Sequence, residues 1–390
     1  MKILFVVYGS IETLSGGYLY DRLLIRCLEE AGHRVRVLSQ KPGLPYLLQV
    51  LENFDHTFFR AACDFAPDLI VEDELNHPAL FMINNKLRSV LGVPIVGMVH
   101  HLRQVEHNYF IIGWAARIME ARFLRTLDGF ICNSDFTRKS IGTALGSKPE
   151  APLRKPYVLA LPGKDRLPPS GVQAPTAAGA ASRPGVNPAT GVAPNRVEGS
   201  TLRILFLGNV IRRKGLHVLI SALARLGPAL GGSIPWTLTI AGNEKADQDY
   251  TRSLKTTIRK QSMDDRIRWA GPVNDEALGE LFRSHDVLAV PSQCEGYGIV
   301  YAEAMLHGLP VIAGSYGGSA EMVTHGLNGY LLPWEDSAGL AGMLSSLGNN
   351  PGLLETMKKE ALRRGAELPG WQSSMKKAVA FIEGMAVGTD

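Results

Sequence analysis

The chain has 390 residues, 45% hydrophobic and 20% charged, with a formal net charge of +4; it holds enough apolar material for two cores. So small an excess, with the first 150 residues neutral, argues against the basic patch of a nucleic-acid binder. Four cysteines, Cys27, Cys63, Cys132 and Cys294, form no C-x-x-C pair; this argues against a zinc ribbon or thioredoxin-type site and suits a reducing, cytoplasmic setting.

The apolar run near the N-terminus is too short for a signal-peptide core and stops at Gly9, so residues 3–8 are predicted to form a first strand. Nothing later is long and apolar enough to suggest a bilayer span. Gly16-Gly17 then opens a helix with Leu19, Leu23, Leu24, Cys27 and Leu28 at helical spacing. Its context, GSIETLSGGYLY, does not fit the dinucleotide fingerprint G-x-G-x-x-G; a glycine loop admitting a ligand to the backbone fits better. Gly32 ends the helix, and residues 33–38 are the next strand. Strands follow at 69–71, 95–99, 129–132 and 157–160, separated by helical segments near 45–62, 77–91, 107–126 and 134–144. That alternation predicts a parallel sheet covered on both faces.

The strand at 95–99 runs into His100-His101. The C-terminal ends of strands face the ligand in open α/β sheets, so His100 is a candidate for contacting a bound molecule; a structural histidine is the ordinary alternative. Adjacent strand side chains diverge and no H-E-x-x-H occurs, so no metal site is expected. The apolar stretch 107–119 lies beside Arg117, Arg122 and Arg125; a buried helix is the favoured reading over a membrane-surface helix.

Composition changes at residues 168–200, which have no aromatic and almost no large aliphatic side chain. Such a segment cannot bury enough to offset its ordering entropy, and it is predicted to be a flexible boundary. The strand–helix rhythm then restarts, with strands at 202–207, 236–241, 266–270, 287–290 and 309–313, and helices near 213–225, 246–260, 275–284 and 298–307. The tail, 350–386, is predicted helical.

Three segments of this second half carry candidate chemistry. In PSQCEGYGIVYAEAML a strand passes through Gly296-Tyr297-Gly298 into a helix beginning near Ile299. Free N–H groups and the dipole at such a helix start favour phosphate. Glu295 and Glu303 flank the glycines and would be repelled by phosphate, so their use is to accept hydrogen bonds from hydroxyls on either side of a diphosphate. In LFLGNVIRRKGL a strand ends at Gly208-Asn209, and Arg212-Arg213-Lys214 begins a helix, offering cations to a departing diphosphate. The order Lys-Gly without a following hydroxyl is not a Walker loop; a solvated basic turn is the alternative. In SYGGSAEMVTHGLNGYLL, Gly317-Gly318 precedes Ser319 and Glu321 at a predicted helix start; the glycine-rich backbone could meet a sugar or phosphates, and a helix N-cap at Ser319 is the compatible structural reading.

Together these motifs resemble the retaining GT-B glycosyltransferases of glycosyltransferase family 4, also called glycosyl transferases group 1. The E-x7-E signature is matched by Glu295 and Glu303, the basic G-x5-K-G turn by Gly208 to Gly215, the glycine-rich loop by GGSAEMVTHGLNGYLL, the N-terminal glycine pair by Gly16-Gly17, and the P-G-x-D element by Pro162 to Asp165. The resemblance implies two Rossmann-like domains facing each other across a cleft. Residues 1–165, completed by a C-terminal helix at 371–390, would bind the acceptor; 166–200 would be the linker; 201–370 would bind the donor. It implies a hexose-type transfer from a uridine- or guanosine-linked nucleotide sugar, with retention and without a metal. Glu303 would hold the ribose, Glu295 the donor sugar, Lys214 with Arg212 or Arg213 the diphosphate, and His100 would look toward the sugar. Gly16, Gly17, Gly208, Asn209, Gly296, Tyr297, Gly298 and Ile299 would complete the donor contacts. Asn209 departs from the family pattern, which often has arginine there. A sugar-nucleotide epimerase of the same fold and a non-catalytic donor-binding protein are the alternatives.

Overall fold

The structure, a computed structural model, describes residues 1–13, 15–40, 44–103, 110–148, 150–167, 201–226 and 234–387, with the backbone alone at 110–112. The predicted flexible segment 168–200 therefore lies outside the described residues, as do residues 107–109 of the apolar stretch. The chain divides into two compact units, Met1–Gly163 with Pro369–Asp390, and Lys164–Leu368. Arg166 and Leu167, placed in the predicted linker, are packed in the second unit: Leu167 is buried and Arg166 is held by carboxylates.

The first unit contains β1 (Lys2–Tyr8), α1 (Gly16–Glu30), β2 (Arg34–Gln40), α2 (His56–Phe65), β3 (Leu69–Asp73), α3 (His77–Leu80), α4 (Ile83–Leu91), β4 (Ile95–Val99), α5 (Phe110–Thr126), β5 (Gly129–Cys132), α6 (Asp135–Ala144) and β6 (Tyr157–Leu159). The six strands form one parallel sheet in the order β2-β1-β3-β4-β5-β6. Ile3 through Val7 are fully buried because this interior strand is covered on both faces, hence its continuous apolar run. The predicted helix 45–62 breaks: Tyr46–Phe54 is a 3-10 segment, and Asp55 starts α2 afresh by accepting from Thr57 N at 2.7 Å and Phe58 N at 3.2 Å. The predicted helix 77–91 breaks too, where Asn53 Oδ1 accepts from Met82 N at 2.8 Å.

The second unit runs β7 (Leu202–Leu207), α7 (Leu216–Arg225), β8 (Trp236–Ala241), α8 (Gln248–Lys260), β9 (Ile267–Gly271), α9 (Asp275–Ser284), β10 (Val287–Val290), α10 (Ile299–Leu306), β11 (Val311–Gly314), β12 (Gly329–Leu332), α11 (Ser337–Asn349) and α12 (Pro351–Glu367). Its parallel order is β12-β11-β10-β7-β8-β9. Strand order reverses between β7 and β10, which pair through Val287 with Ile204 and Leu288 with Leu205; this is the switch point at which open α/β sheets bind ligands. The sequence reading missed β12 and α11; α13 (Trp371–Val387) starts where the C-terminal helix was expected and belongs to the first unit. No described helix is long and apolar enough to cross a membrane.

Candidate functional site

The second unit's site grows from the ends of β7 and β10. After β7, residues Arg212–Lys214 form one 3-10 turn, closed by Gly215 before α7 begins. After β10 the chain passes through 291–298 to α10, and the two loops are tied by Gln293 N donating to Arg213 O at 2.8 Å. The glycine-rich loop after β11 lies against the same segment, with Gly318 N donating to Glu295 O at 2.8 Å. Ser319 does not cap a helix as predicted. Gly318–Glu321 is a single 3-10 turn, and the Ser319 hydroxyl instead donates to Gly314 O at 2.6 Å.

These loops bring Lys214 and Glu295 together: Nζ donates to Oε1 at 2.6 Å, and both side chains are mostly buried. Arg213 stands 3.9 Å from the same oxygen and donates from Nη1 to Cys294 O at 2.8 Å. Burial works to raise the Glu295 carboxyl, but the Lys214 ammonium and the Arg213 guanidinium outweigh it and hold it at about 2. Burial also lowers the Lys214 ammonium, against the pull of Glu295. The pair is an ionised couple held out of water. Arg212 turns the other way, 3.3 Å from exposed Glu335.

Gly208 runs beside the lysine stem: a β-carbon there would lie 3.6 Å from Lys214 Cε. Asn209 follows it, in the loop before the basic turn. Tyr297, the middle residue of the glycine turn, is buried. Gly298 caps α10 with φ of +98°, and a β-carbon would come within 2.3 Å of the Tyr301 ring, so the turn into Ile299 admits glycine alone. Glu303, on α10, does not join Glu295. It is fully buried and faces Arg166, whose Nη2 donates to Oε2 at 3.0 Å while Nε stands 2.9 Å from Oε1. Burial, opposed by Arg166, holds the Glu303 carboxyl at about 7. No sequence signal pointed to Arg166.

In the first unit, Gly16 and Gly17 begin α1, and Gly17 lies against His100: a β-carbon would sit 3.3 Å from its Cδ2. Buried Asp21, one turn further along α1, accepts from His100 Nε2 at 2.9 Å. Glu74 anchors the loop from below, accepting from His100 N at 2.9 Å and His101 N at 3.0 Å. Burial opposes the imidazolium, but the carboxylates of Asp21 and Glu74 outweigh it and raise His100 above its usual range. Asp21, Asp73 and His100 bring one ligand atom each within 4.8 Å of one another, a grouping that could hold a cation and that sequence spacing does not reveal. In the second unit Asp247-Gln248-Asp249 is an Asp-x-Asp triplet, but Asp247 caps α8 through Tyr250 N at 3.0 Å and Asp249 pairs with Arg252 at 2.9 Å.

Residues 193–364 match the family model described as Glycosyl transferases group 1. A D-inositol 3-phosphate glycosyltransferase of Pseudarthrobacter chlorophenolicus is 32% identical over 175 residues, covering 45% of this chain and 41% of that protein. One of Kribbella flavida is 27% identical over 301 residues, covering 75% of this chain and 66% of that protein. The chain thus spans less than two thirds of the length of these relatives. Among solved structures, sucrose-phosphate synthase of Thermosynechococcus elongatus superposes with a TM-score of 0.77 at 19% identity, covering 99% of each chain. The Anabaena protein HepE, in complex with UDP and glucose, superposes with a TM-score of 0.71 at 20% identity, covering 98% of this chain and 100% of that one. The fold is GT-B: two α/β units, each built on a parallel six-stranded sheet.

Proposed function

We propose that this chain is a retaining glycosyltransferase that moves a hexose-type sugar from a nucleotide-diphosphate donor to a second substrate, working in the cytoplasm. The observation that carries the reading is the buried Lys214–Glu295 couple at the β7/β10 switch point, beside the N-terminus of α10. A diphosphate leaving group develops negative charge as the glycosidic bond breaks. Lys214 and Arg213, fixed by their loops, would stabilise that charge without reorganising at the moment of reaction. Glu295, ionised throughout the neutral range, would accept hydrogen bonds from sugar hydroxyls, and Glu303 from the ribose. In the first unit His100, oriented by Asp21, would serve a sugar hydroxyl.

The family match covers the segment that holds Lys214, Glu295 and Glu303. The complexes of HepE with UDP and with UDP-glucose favour uridine over guanosine in the donor. Cations supplied by side chains make a metal unnecessary at the diphosphate, so turnover is expected to survive chelation. The test incubates the protein with uridine- and guanosine-linked sugars and candidate acceptors, with and without chelator. Release of nucleoside diphosphate and an anomeric signal unchanged from the donor support the proposal. Epimerised donor without diphosphate release overturns it, and activity that disappears with chelator and returns with a divalent cation overturns its metal-free part.

A further inference from the structure

Glu303 is fully buried, so a ligand reaches its carboxylate only if a neighbouring group moves aside. Two charged groups act on that carboxyl, Arg166 lowering its proton affinity and Asp275 raising it. Of its contacts, Arg166 has the outlet: its side chain is 26% exposed, and its Nη1 is already 3.4 Å from Asp275, whose side chain is 62% exposed. The guanidinium meets the carboxylate with two nitrogens, Nη2 on Oε2 and Nε facing Oε1, yet only the first is aligned as a hydrogen bond. Among the described residues nothing hydrogen-bonds to Oε1, so a fully buried acceptor is left short of a donor.

We propose that Arg166 is a displaceable stand-in for the vicinal diol of a nucleotide: its guanidinium occupies the position on Glu303 that two ribose hydroxyls take, and Asp275 receives it when they arrive. This deepens the reading above and rests on it. Two hydroxyls present two donors on neighbouring carbons, the same count and rough spacing as the two guanidinium nitrogens. Donating to both oxygens, they would satisfy Oε1, which Arg166 does not. Arg166 remains paired after exchange, so the swap leaves no cation stranded. A ligand without the diol cannot complete the exchange and leaves Arg166 where it is. Arg166 thereby sets the threshold for nucleotide entry and makes entry conditional on the diol. The exchange is non-covalent and needs no co-reactant.

The test measures Kd by calorimetry for uridine and guanosine diphosphates and for their 2′,3′-dideoxy analogues, at pH 9 where the wild-type Glu303 carboxyl is ionised. The proteins are the wild type, Arg166→Ala, Arg166→Gln and Glu303→Gln. Removing the competitor should tighten binding of the preferred diphosphate about tenfold in both Arg166 variants, the weight of one charge-assisted contact, and leave the dideoxy analogue unchanged. In the wild type, phenylglyoxal should modify Arg166, mapped by mass spectrometry, faster when the diphosphate is bound. Unchanged or weaker diphosphate binding in a folded Arg166 variant, or slower modification in the complex, overturns the proposal. Should both variants fail to fold, the modification rate decides alone. Glu303→Gln separates the two layers. If it abolishes the advantage of the diol over the dideoxy analogue, the nucleotide reading of Glu303 stands whatever Arg166 does. If the advantage persists, or neither diphosphate binds the wild type, the underlying reading falls, and this inference with it.

Discussion

Lys214 and Glu295 have two jobs that a single substitution confounds. In Lys214→Ala the carboxylate of Glu295 is left with Arg213 at 3.9 Å as its cation, in a place burial already makes costly for charge. We expect a stability loss of about 2–4 kcal/mol from the stranded charge, and a loss of about 10²–10³ in turnover from the missing cation at the leaving group. The double variant Lys214→Ala with Glu295→Gln should recover most of the stability and none of the turnover. Calorimetric unfolding together with diphosphate release measures both, and turnover that recovers along with stability would show that Lys214 is a structural cation only. Lys214 and Glu295 each stood out in the sequence, because both sit within a few positions of a strand end and a glycine turn; their contact, across 81 residues, did not. The partners of Glu303 and His100 were hidden too. Arg166 lies 137 residues from Glu303 and Asp21 lies 79 from His100, and no periodicity links residues that meet only once the sheet order is set. The choice between Arg212 and Arg213 likewise depends on which way one 3-10 turn faces, which spacing does not encode.

Strands in this fold were legible for a simple reason: those covered on both faces must be apolar throughout. Residues 95–99, 129–132, 202–207, 236–241 and 287–290 coincide with observed strands. Two buried acids break that pattern in β3, Asp73 at its end and Glu72, which is fully buried and accepts from Asn84 Nδ2 at 2.8 Å through Oε2. Burial pushes its carboxyl up to about 8 from an ordinary value of 4.5. The folded state therefore holds a proton that the unfolded chain has released, and stability falls as pH rises through the window from 4.5 to about 8. Glu72→Gln removes the titrating group and keeps an acceptor for Asn84. We expect the variant to match the wild type within about 1 kcal/mol near pH 5 and to exceed it by roughly 2–5 kcal/mol at pH 9, read from denaturant unfolding at the two values. Parallel pH profiles for the two proteins would show that Glu72 is ionised in the folded state. The helices were less legible than the strands. Asp55 and Asn53 interrupt two predicted helices through side-chain bonds to backbone N–H groups, and a polar residue on a helical pattern does not announce whether it caps or continues.

The chain leaves the first unit after Gly163, builds the whole of the second, and returns at Pro369. The turn Leu368-Pro369-Gly370 is a breaker visible in the sequence, and it separates α12 from α13. The return matters for stability. In α13, Trp371, Met375, Ala378 and Ile382 are buried, with Trp371 edge-on to Tyr20 at 5.7 Å. Gly163 makes room for it: a β-carbon there would lie 2.2 Å from the Trp371 backbone nitrogen. Gly129 of β5 lies against the Phe381 ring, where a β-carbon would come within 3.0 Å. Burying three side chains the size of Trp371, Met375 and Ile382 contributes roughly 5–9 kcal/mol, comparable with the entire stability of a domain, about 5–15 kcal/mol. The second unit has no such dependence, since its last helix, α12, buries Leu354, Met357 and Ala361 within that unit. Ending the chain after Leu368 should therefore unfold the first unit and spare the second. Hydrogen exchange should show β1 and β3 to β5 losing protection while β7, β8 and β10 keep it. Nucleoside diphosphate should still raise the remaining thermal transition, because the groups assigned to the ribose and the diphosphate, Glu303, Lys214 and Arg213, all lie in the second unit. Retained protection in β1 would mean that the first unit's core is sufficient without α13, and loss of protection in β7 would mean that the two units unfold as one.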